Sequence, residues 1–405
     1  MAVKVDQKHD FTAKLRQPSV LSRLKEYVEW QKTVRKGIKK VETPNLTPIS
    51  INLDLTTTCN FRCDHCIDIN VINSKIKHDH GNLLSSLKNM IERGLRSVIL
   101  IGGGEPTLYP RFVEIIQFLK ENSVQIAVSS NGSRGAILCD AAEFLKAKDK
   151  DWMRLSMDAG ANDTWQKIHK PKPKIALEEI CAWVPKIRNQ NSQIPIGFSF
   201  IITWKNAENE NGSKIVTNIN EIGTATKLAR EYGFNYISFK PFLTRFGPDS
   251  VEAIDLSGTK KSTIAHIREE IDKAKQHETE NFKVIESANL KVLENGSWRD
   301  FTRQPKTCHM AVFRQVLSPI GLFHCPGFRG IKKSYISDKN AYCDENISQT
   351  QKAVANILVE FDASKECVDC TCLFNQTNWW IEKLVTGETD IANVQAAEEQ
   401  HDYYF

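Results

Sequence analysis

The sequence predicts an α/β fold whose parallel sheet curves toward a barrel, followed by a cysteine-rich extension. Apolar strand patterns and helical patterns alternate between residues 49 and 240 to give six strands. The first strand runs directly into a loop carrying Cys59, Cys63 and Cys66. Six further cysteines lie between Cys308 and Cys372, beyond the last alternating unit.

Taken in order, Leu21, Leu24, Val28, Val34, Ile38 and Val41 recur at helical spacing after Pro18, with Lys and Arg between them. Pro44 and Pro48 break this helix and mark a boundary. Ile49, Ile51, Leu53 and Leu55 then alternate with Ser50, Asn52 and Asp54, the period of a strand with two unlike faces. Further strands are expected over 97–101, 125–129, 152–157, 196–202 and 236–239, with helices over 83–93, 110–122, 140–146, 177–189 and 224–232 between them. Right-handed crossovers make such a sheet parallel, and eight units would close it. After Pro241 the pattern changes to a charged helix over 260–276, a hairpin about Pro319-Ile320-Gly321 and a polar loop over 340–351. The expected division is a basic helical segment 1–48, a barrel core 49–245, a helical connector 246–300 and an extension 301–405.

Hydrophobic residues at 41% and charged residues at 25% of 405 are ordinary for a globular chain and exclude global disorder. No apolar run approaches the roughly 18 residues of a membrane span, and the polar N-terminus lacks a signal-peptide core, so the expected location is the cytoplasm, with no membrane partner. In that compartment eleven cysteines read as metal ligands or reactive thiols rather than disulfides. Cys139 and Cys181 stand alone and read as core or surface thiols. Residues 1–44 carry eleven Lys/Arg against five Asp/Glu, an excess of six that leaves the rest of a chain of net charge +5 near neutrality. Such an arm can meet an acidic partner or be the solvated face of a packed helix.

Three thiolates on one tight loop can hold an iron–sulfur cluster that needs four ligands, leaving one iron open. Zinc binding is the competing use of the same residues. The Cys-x3-Cys-x2-Cys loop resembles that of the radical S-adenosylmethionine (radical SAM) enzymes, and so does Gly102-Gly103-Gly104-Glu105-Pro106, which follows the second strand. The resemblance covers roughly 49–240 and implies a partial (β/α)6 barrel with an N-terminal helical segment and a small Cys-rich C-terminal extension. It also implies that Cys59, Cys63 and Cys66 hold a 4Fe-4S cluster whose open iron is chelated by S-adenosyl-L-methionine. Gly103, Gly104 and Glu105 would lie along the cofactor's amino group. Asn131 and Ser156, at the ends of the third and fourth strands, would border its sugar or carboxylate. His65 stands where the family often has an aromatic residue against adenine. The implied reaction is reductive cleavage to a 5′-deoxyadenosyl radical that takes a hydrogen atom from a substrate carbon, fed by a flavodoxin- or ferredoxin-type electron donor.

Cys308 and Cys325 flank the predicted hairpin, and Cys367-Val368-Asp369-Cys370 is a close pair able to share one metal centre. This order resembles the auxiliary-cluster extensions called SPASM and twitch, which implies a second 4Fe-4S cluster on Cys308, Cys325, Cys367 and Cys370. Cys343 and Cys372 would be spares, an alternative ligand or hydrogen-atom donors. Two classes of function follow. One is a radical SAM oxidoreductase that oxidises, cross-links or epimerises a peptide, or acts likewise on a sugar, nucleotide or other small molecule. The other is a zinc-dependent nucleic-acid-binding protein using the basic arm. The two ordered motifs favour the enzyme.

Overall fold

The computed structural model describes residues 10–38, 42–254, 256 and 260–405. Period-two segments become β1 (Ser50–Leu53), β2 (Ser97–Leu100), β3 (Gln125–Ser130), β4 (Trp152–Ser156), β5 (Ile196–Ile202) and β6 (Tyr236–Pro241). The chain adds a small antiparallel pair, β7 (Leu243–Thr244) and β8 (Ala253–Ile254), then β9 (Lys283–Glu286), β10 (Arg314–Ser318), β11 (Gly321–Phe323) and β12 (Tyr335–Ser337). All but β7 and β8 join one sheet in the order β12-β11-β10-β1-β2-β3-β4-β5-β6-β9. Pairing is parallel from β10 through β9 and antiparallel only at β10-β11 and β11-β12. The six expected strands are thus extended by a parallel strand at each side, and β10, from beyond residue 300, pairs directly with β1.

Alternation decides which side chains point where. On β4, Met153 and Leu155 are fully buried under the helical layer, whereas Trp152, Arg154 and Ser156 turn to the inner face. Helices His80–Glu92, Phe112–Glu121 and Ile222–Glu231 cover the outer face with stripes such as Ile115, Ile116 and Leu119. The helix expected over 177–189 is two, Leu177–Cys181 and Trp183–Gln190. Pro185 has no N–H to offer the Cys181 carbonyl, so the first helix stops there. The polar loop expected over 340–351 is corrected too. A helix, Ile347–Glu360, begins inside it, with Ile347, Thr350, Val354 and Leu358 buried on one stripe.

The N-terminal helix, Pro18–Arg35, buries Val20, Leu24, Tyr27 and Val28. Val41, its last expected apolar position, lies outside the described residues. Its basic end is used structurally. Arg35 binds Glu382 through two contacts of 2.7 and 2.8 Å, and Glu382 meets His309 at 2.8 Å. The other nitrogen of His309 lies 2.7 Å from the Tyr27 hydroxyl, so the helix is locked to the segment just after Cys308. The C-terminal residues cross the N-terminal edge of the sheet, where Ser97 donates to the Tyr403 carbonyl (2.7 Å) and buried Lys14 pairs with Asp402 (2.9 Å). No helix among the described residues is long and apolar enough to cross a membrane.

Candidate functional site

The C-terminal ends of β1 to β4 converge on the first cysteine loop. Phe61 anchors that loop, buried edge-on against Trp165 at 5.6 Å between centroids. The amides of Arg62 and Asp64 donate to the carbonyls of His169 and Ile168, tying the loop to helix Asn162–His169. Burial pushes the Cys59 thiol up to about 11. Cys63 is held well above the ordinary range, by burial first and then by its neighbours Cys66 and Cys59. Three thiols that oppose one another's ionisation in a desolvated pocket become thiolates when a cation neutralises them, so this donor set fits an iron–sulfur cluster.

The glycine run after β2 lies against the approach to that loop. A Cβ on Gly104 would stand 2.3 Å from the Thr58 carbonyl oxygen, and the Glu105 amide donates to the same oxygen at 2.9 Å. Gly102, at φ +87, leaves no room for a side chain because the Arg329 guanidinium fills the space.

Glu105 closes the glycine run. Its carboxylate is turned inward, where Oε1 accepts from Thr107 N (3.1 Å), Thr107 Oγ1 (2.6 Å) and Ser130 Oγ (2.7 Å), and Oε2 accepts from Asn131 N (2.7 Å). Burial raises its pKa, opposed by these donors. Glu105 therefore clamps the end of β2 to the end of β3. Asn131 extends the clamp by donating through Nδ2 to Asn60 of the cysteine loop (2.9 Å). Glu105→Gln puts an amide where only acceptors fit and weakens hydrogen bonds worth about 1.5–3 kcal/mol each when charged. The expected outcome is a loss of at least ~2 kcal/mol in denaturant unfolding of the ligand-free protein. Unchanged ligand-free stability with lost cofactor binding would return the carboxylate to the cofactor.

Sequence reading placed Asp158 at the end of the fourth strand without a role and passed over His169. Asp158 sits at φ +52, a left-handed conformation unusual outside glycine, just after β4. Its Oδ2 lies 3.0 Å from His65 Nε2 and 3.3 Å from His169 Nε2, and its Oδ1 accepts from the Ile201 amide at 2.6 Å. Burial works to raise its pKa and is outweighed by the two imidazoles, which hold the carboxyl well below its ordinary range. The Nδ1 of His169 is 3.1 Å from Cys63 Sγ. A chain of contacts thus runs His65–Asp158–His169–Cys63, and His65 has its Nε2 on a carboxylate. Ser156 is on the inner face of β4, beside Ser199 of β5. The signal in the sequence was Asp158 two residues after Ser156. Nothing marked His169.

The second cysteine field gathers five thiols. Cys325 raises Cys308, Cys367 lies within the influence of both, and Cys372 raises Cys308, Cys325 and Cys367 and hydrogen-bonds Cys370. Burial, then Cys372, pushes Cys325 up to about 12. Val251, Phe328, Ile331, Phe361 and Ala363 form the apolar packing on which four of these cysteines rest. Cys372 therefore stands inside the ligand field rather than spare. Cys343 is corrected in the opposite sense. It is buried against helix His80–Glu92, its Sγ 3.4 Å from Ser86 Oγ and 3.5 Å from the Asn82 carbonyl, which removes the ground for a hydrogen-atom donor there. Cys139 and Cys181 are core thiols.

Arg329, four residues after Cys325, joins the two fields. Its Nε is 2.9 Å from Asp54 at the end of β1, and its Nη1 is 2.8 Å from Asp68, two residues after Cys66. Asp68 also accepts from the Gly103 amide at 3.1 Å. Arg245 adds a strut, donating to the Ile67 carbonyl (3.1 Å) and the Arg329 carbonyl (3.2 Å).

Fold and site together define a protein of the parallel α/β-barrel class with two groups of cysteines able to ligate metal. Residues 53–209 match the family model of the Radical SAM superfamily, and the chain carries a domain of that family, whose cofactors are a 4Fe-4S cluster and S-adenosylmethionine. Mycofactocin maturase MftC of Mycobacterium tuberculosis (strain ATCC 25618 / H37Rv) is 34% identical over 115 residues, 27% of this chain and 28% of that protein. The S-adenosylmethionine-dependent nucleotide dehydratase of Thermoplasmatales archaeon (strain ISO4-H5) is 31% identical over 111 residues, 27% of this chain and 38% of that protein. The chain thus spans between about a quarter and two-fifths of the length of these two relatives. Streptococcus suis SuiB bound to precursor peptide SuiA superposes with a TM-score of 0.52 at 12% identity, covering 92% of this chain and 94% of that one, a likeness of fold.

Proposed function

We propose that this chain is a radical SAM oxidoreductase acting on a peptide, with Cys59, Cys63 and Cys66 holding the SAM-binding cluster. The observation that carries this reading is the presence of two half-buried thiol fields, with Arg329, four residues after Cys325, tied to Asp54 and Asp68 on either side of the first. When bound, the cluster and cofactor supply a 5′-deoxyadenosyl radical able to take hydrogen from an unactivated carbon. The chain's part is to position and to exclude water. Asp158 orients His65 and His169 about the first cysteine loop, and Glu105 fixes the ends of β2 and β3 beside it. Four of the five cysteines Cys308, Cys325, Cys367, Cys370 and Cys372 would hold an auxiliary 4Fe-4S cluster, the second electron acceptor of a substrate oxidation. A flavodoxin- or ferredoxin-type protein would supply the first electron.

The peptide reading draws on the maturase name of one relative and the precursor peptide bound to SuiB. A nucleotide is the second reading, drawn from the dehydratase and from probable GTP 3′,8-cyclases among the relatives. The test is anaerobic turnover of the reconstituted protein with SAM and reductant. 5′-Deoxyadenosine should form, and a short peptide encoded beside this chain should lose hydrogen by mass spectrometry. Consumption of a nucleotide with the peptide untouched would favour the second reading.

A further inference from the structure

The inner faces of β4, β5 and β6 carry two cations that the site described above does not use. Register sets Arg154 of β4 beside Gly197 of β5, while Lys240 of β6 is level with Ile201 and reaches back to within 3.5 Å of Ser199 Oγ. Both side chains therefore lean over adjacent inward positions of the middle strand. The middle strand offers only small residues, Gly197 and Ser199, at these two positions. Gly197 lets the Tyr236 ring cross β5, where a Cβ would meet that ring at 2.1 Å.

Among the described residues neither cation has a carboxylate partner; the Arg154 guanidinium lies over the Trp152 ring at 5.1 Å, and its Nε is buried without a hydrogen-bond acceptor. The carboxylate that acts on both is Asp158, whose oxygens already serve His65, His169 and the Ile201 amide. A desolvated cation without an anion is costly, and proteins keep such groups where a ligand supplies the opposite charge. Burial lowers the pKa of both groups, as expected where the counter-charge is absent.

We infer that Arg154 and Lys240 form an oxyanion seat in the lumen, which takes a carboxylate of the substrate. The inference rests on the peptide reading for the identity of the anion, and on two cations without a carboxylate partner for the seat itself. The cofactor brings a carboxylate of its own, so the experiment has an arm for each source.

Arg154→Met and Lys240→Met are compared with wild type in the reconstituted protein. Three probes are titrated calorimetrically: SAM alone, then N-acetylglutamate and inorganic phosphate, each with SAM present. The expected result is at least tenfold weaker N-acetylglutamate binding in each variant, unchanged SAM affinity and a higher melting temperature of the ligand-free variants. Phosphate bound through the two cations, with N-acetylglutamate ignored, would keep the seat and sink the peptide reading. A tenfold loss of SAM affinity would give the seat to the cofactor and overturn its assignment to substrate. Unchanged binding of every probe, or a lowered melting temperature in both variants, would show the cations to be structural and overturn the inference.

Discussion

Alanine at Cys59, Cys63 and Cys66 together is expected to leave a folded protein that forms no 5′-deoxyadenosine and keeps about half its iron, roughly four of the eight atoms of two 4Fe-4S clusters. Folding should survive because the loop is held by other groups. Phe61 packs on Trp165, the amides of Arg62 and Asp64 bond to helix Asn162–His169, and Arg329 grips Asp68. Activity should vanish because the other cysteines among the described residues belong to the C-terminal field or, as Cys139, Cys181 and Cys343, are buried. Iron analysis with absorbance near 400 nm, the rough region of iron–sulfur charge transfer, reads both fields in one preparation. Iron unchanged from wild type would remove the cluster from the first loop. One zinc and no iron in the variant would make the C-terminal field structural and end its assigned redox role.

The parts legible in the sequence are those whose signal is local. The alternation of Ile49, Ile51, Leu53 and Leu55 needs only neighbouring residues, and it announces β1 and the loop that follows. The spacing of Cys59, Cys63 and Cys66 is legible for the same reason. What escaped depends on partners distant in the chain. Nothing in Arg314–Ser318 says that it lies parallel to Ser50–Leu53, because the pairing is decided by the sheet edge left free by β1. Strand β9 is short, with charged residues at both ends, and became visible only once it lay against β6. Cys343 and Cys372 look alike in one dimension. Only packing puts Cys372 beside Cys370 and Cys343 beside Ser86. Glu105 was assigned outward from its motif, and the donors that turn it inward, Ser130 and Asn131, come from a different strand end.

Arg329→Met is expected to cost about 3–5 kcal/mol of folding stability, the range for removing one partner from a buried ion cluster. Burial opposes the charge on Arg329, but Asp54, Asp68 and Glu252 outweigh it and hold the guanidinium charged. Without it two carboxylates face each other in the interior. Asp54 already shows the strain, since burial pushes its pKa up to about 7 even with Arg329 opposing. The sign of the pH dependence follows. A folded pKa above the unfolded one means that the native state binds more protons, so this group's contribution to stability falls as pH rises from about 4 through about 7. The variant, with Asp54 raised further, should regain part of its loss as pH falls through that window. Adding Asp54→Asn to Arg329→Met should destabilise by less than the two single losses summed, because the neutral amide no longer needs the guanidinium. Denaturant unfolding of the four proteins checks this. Additive losses, or no recovery at lower pH, would mean that Arg329 acts by packing alone and that the two cysteine fields are not joined by charge.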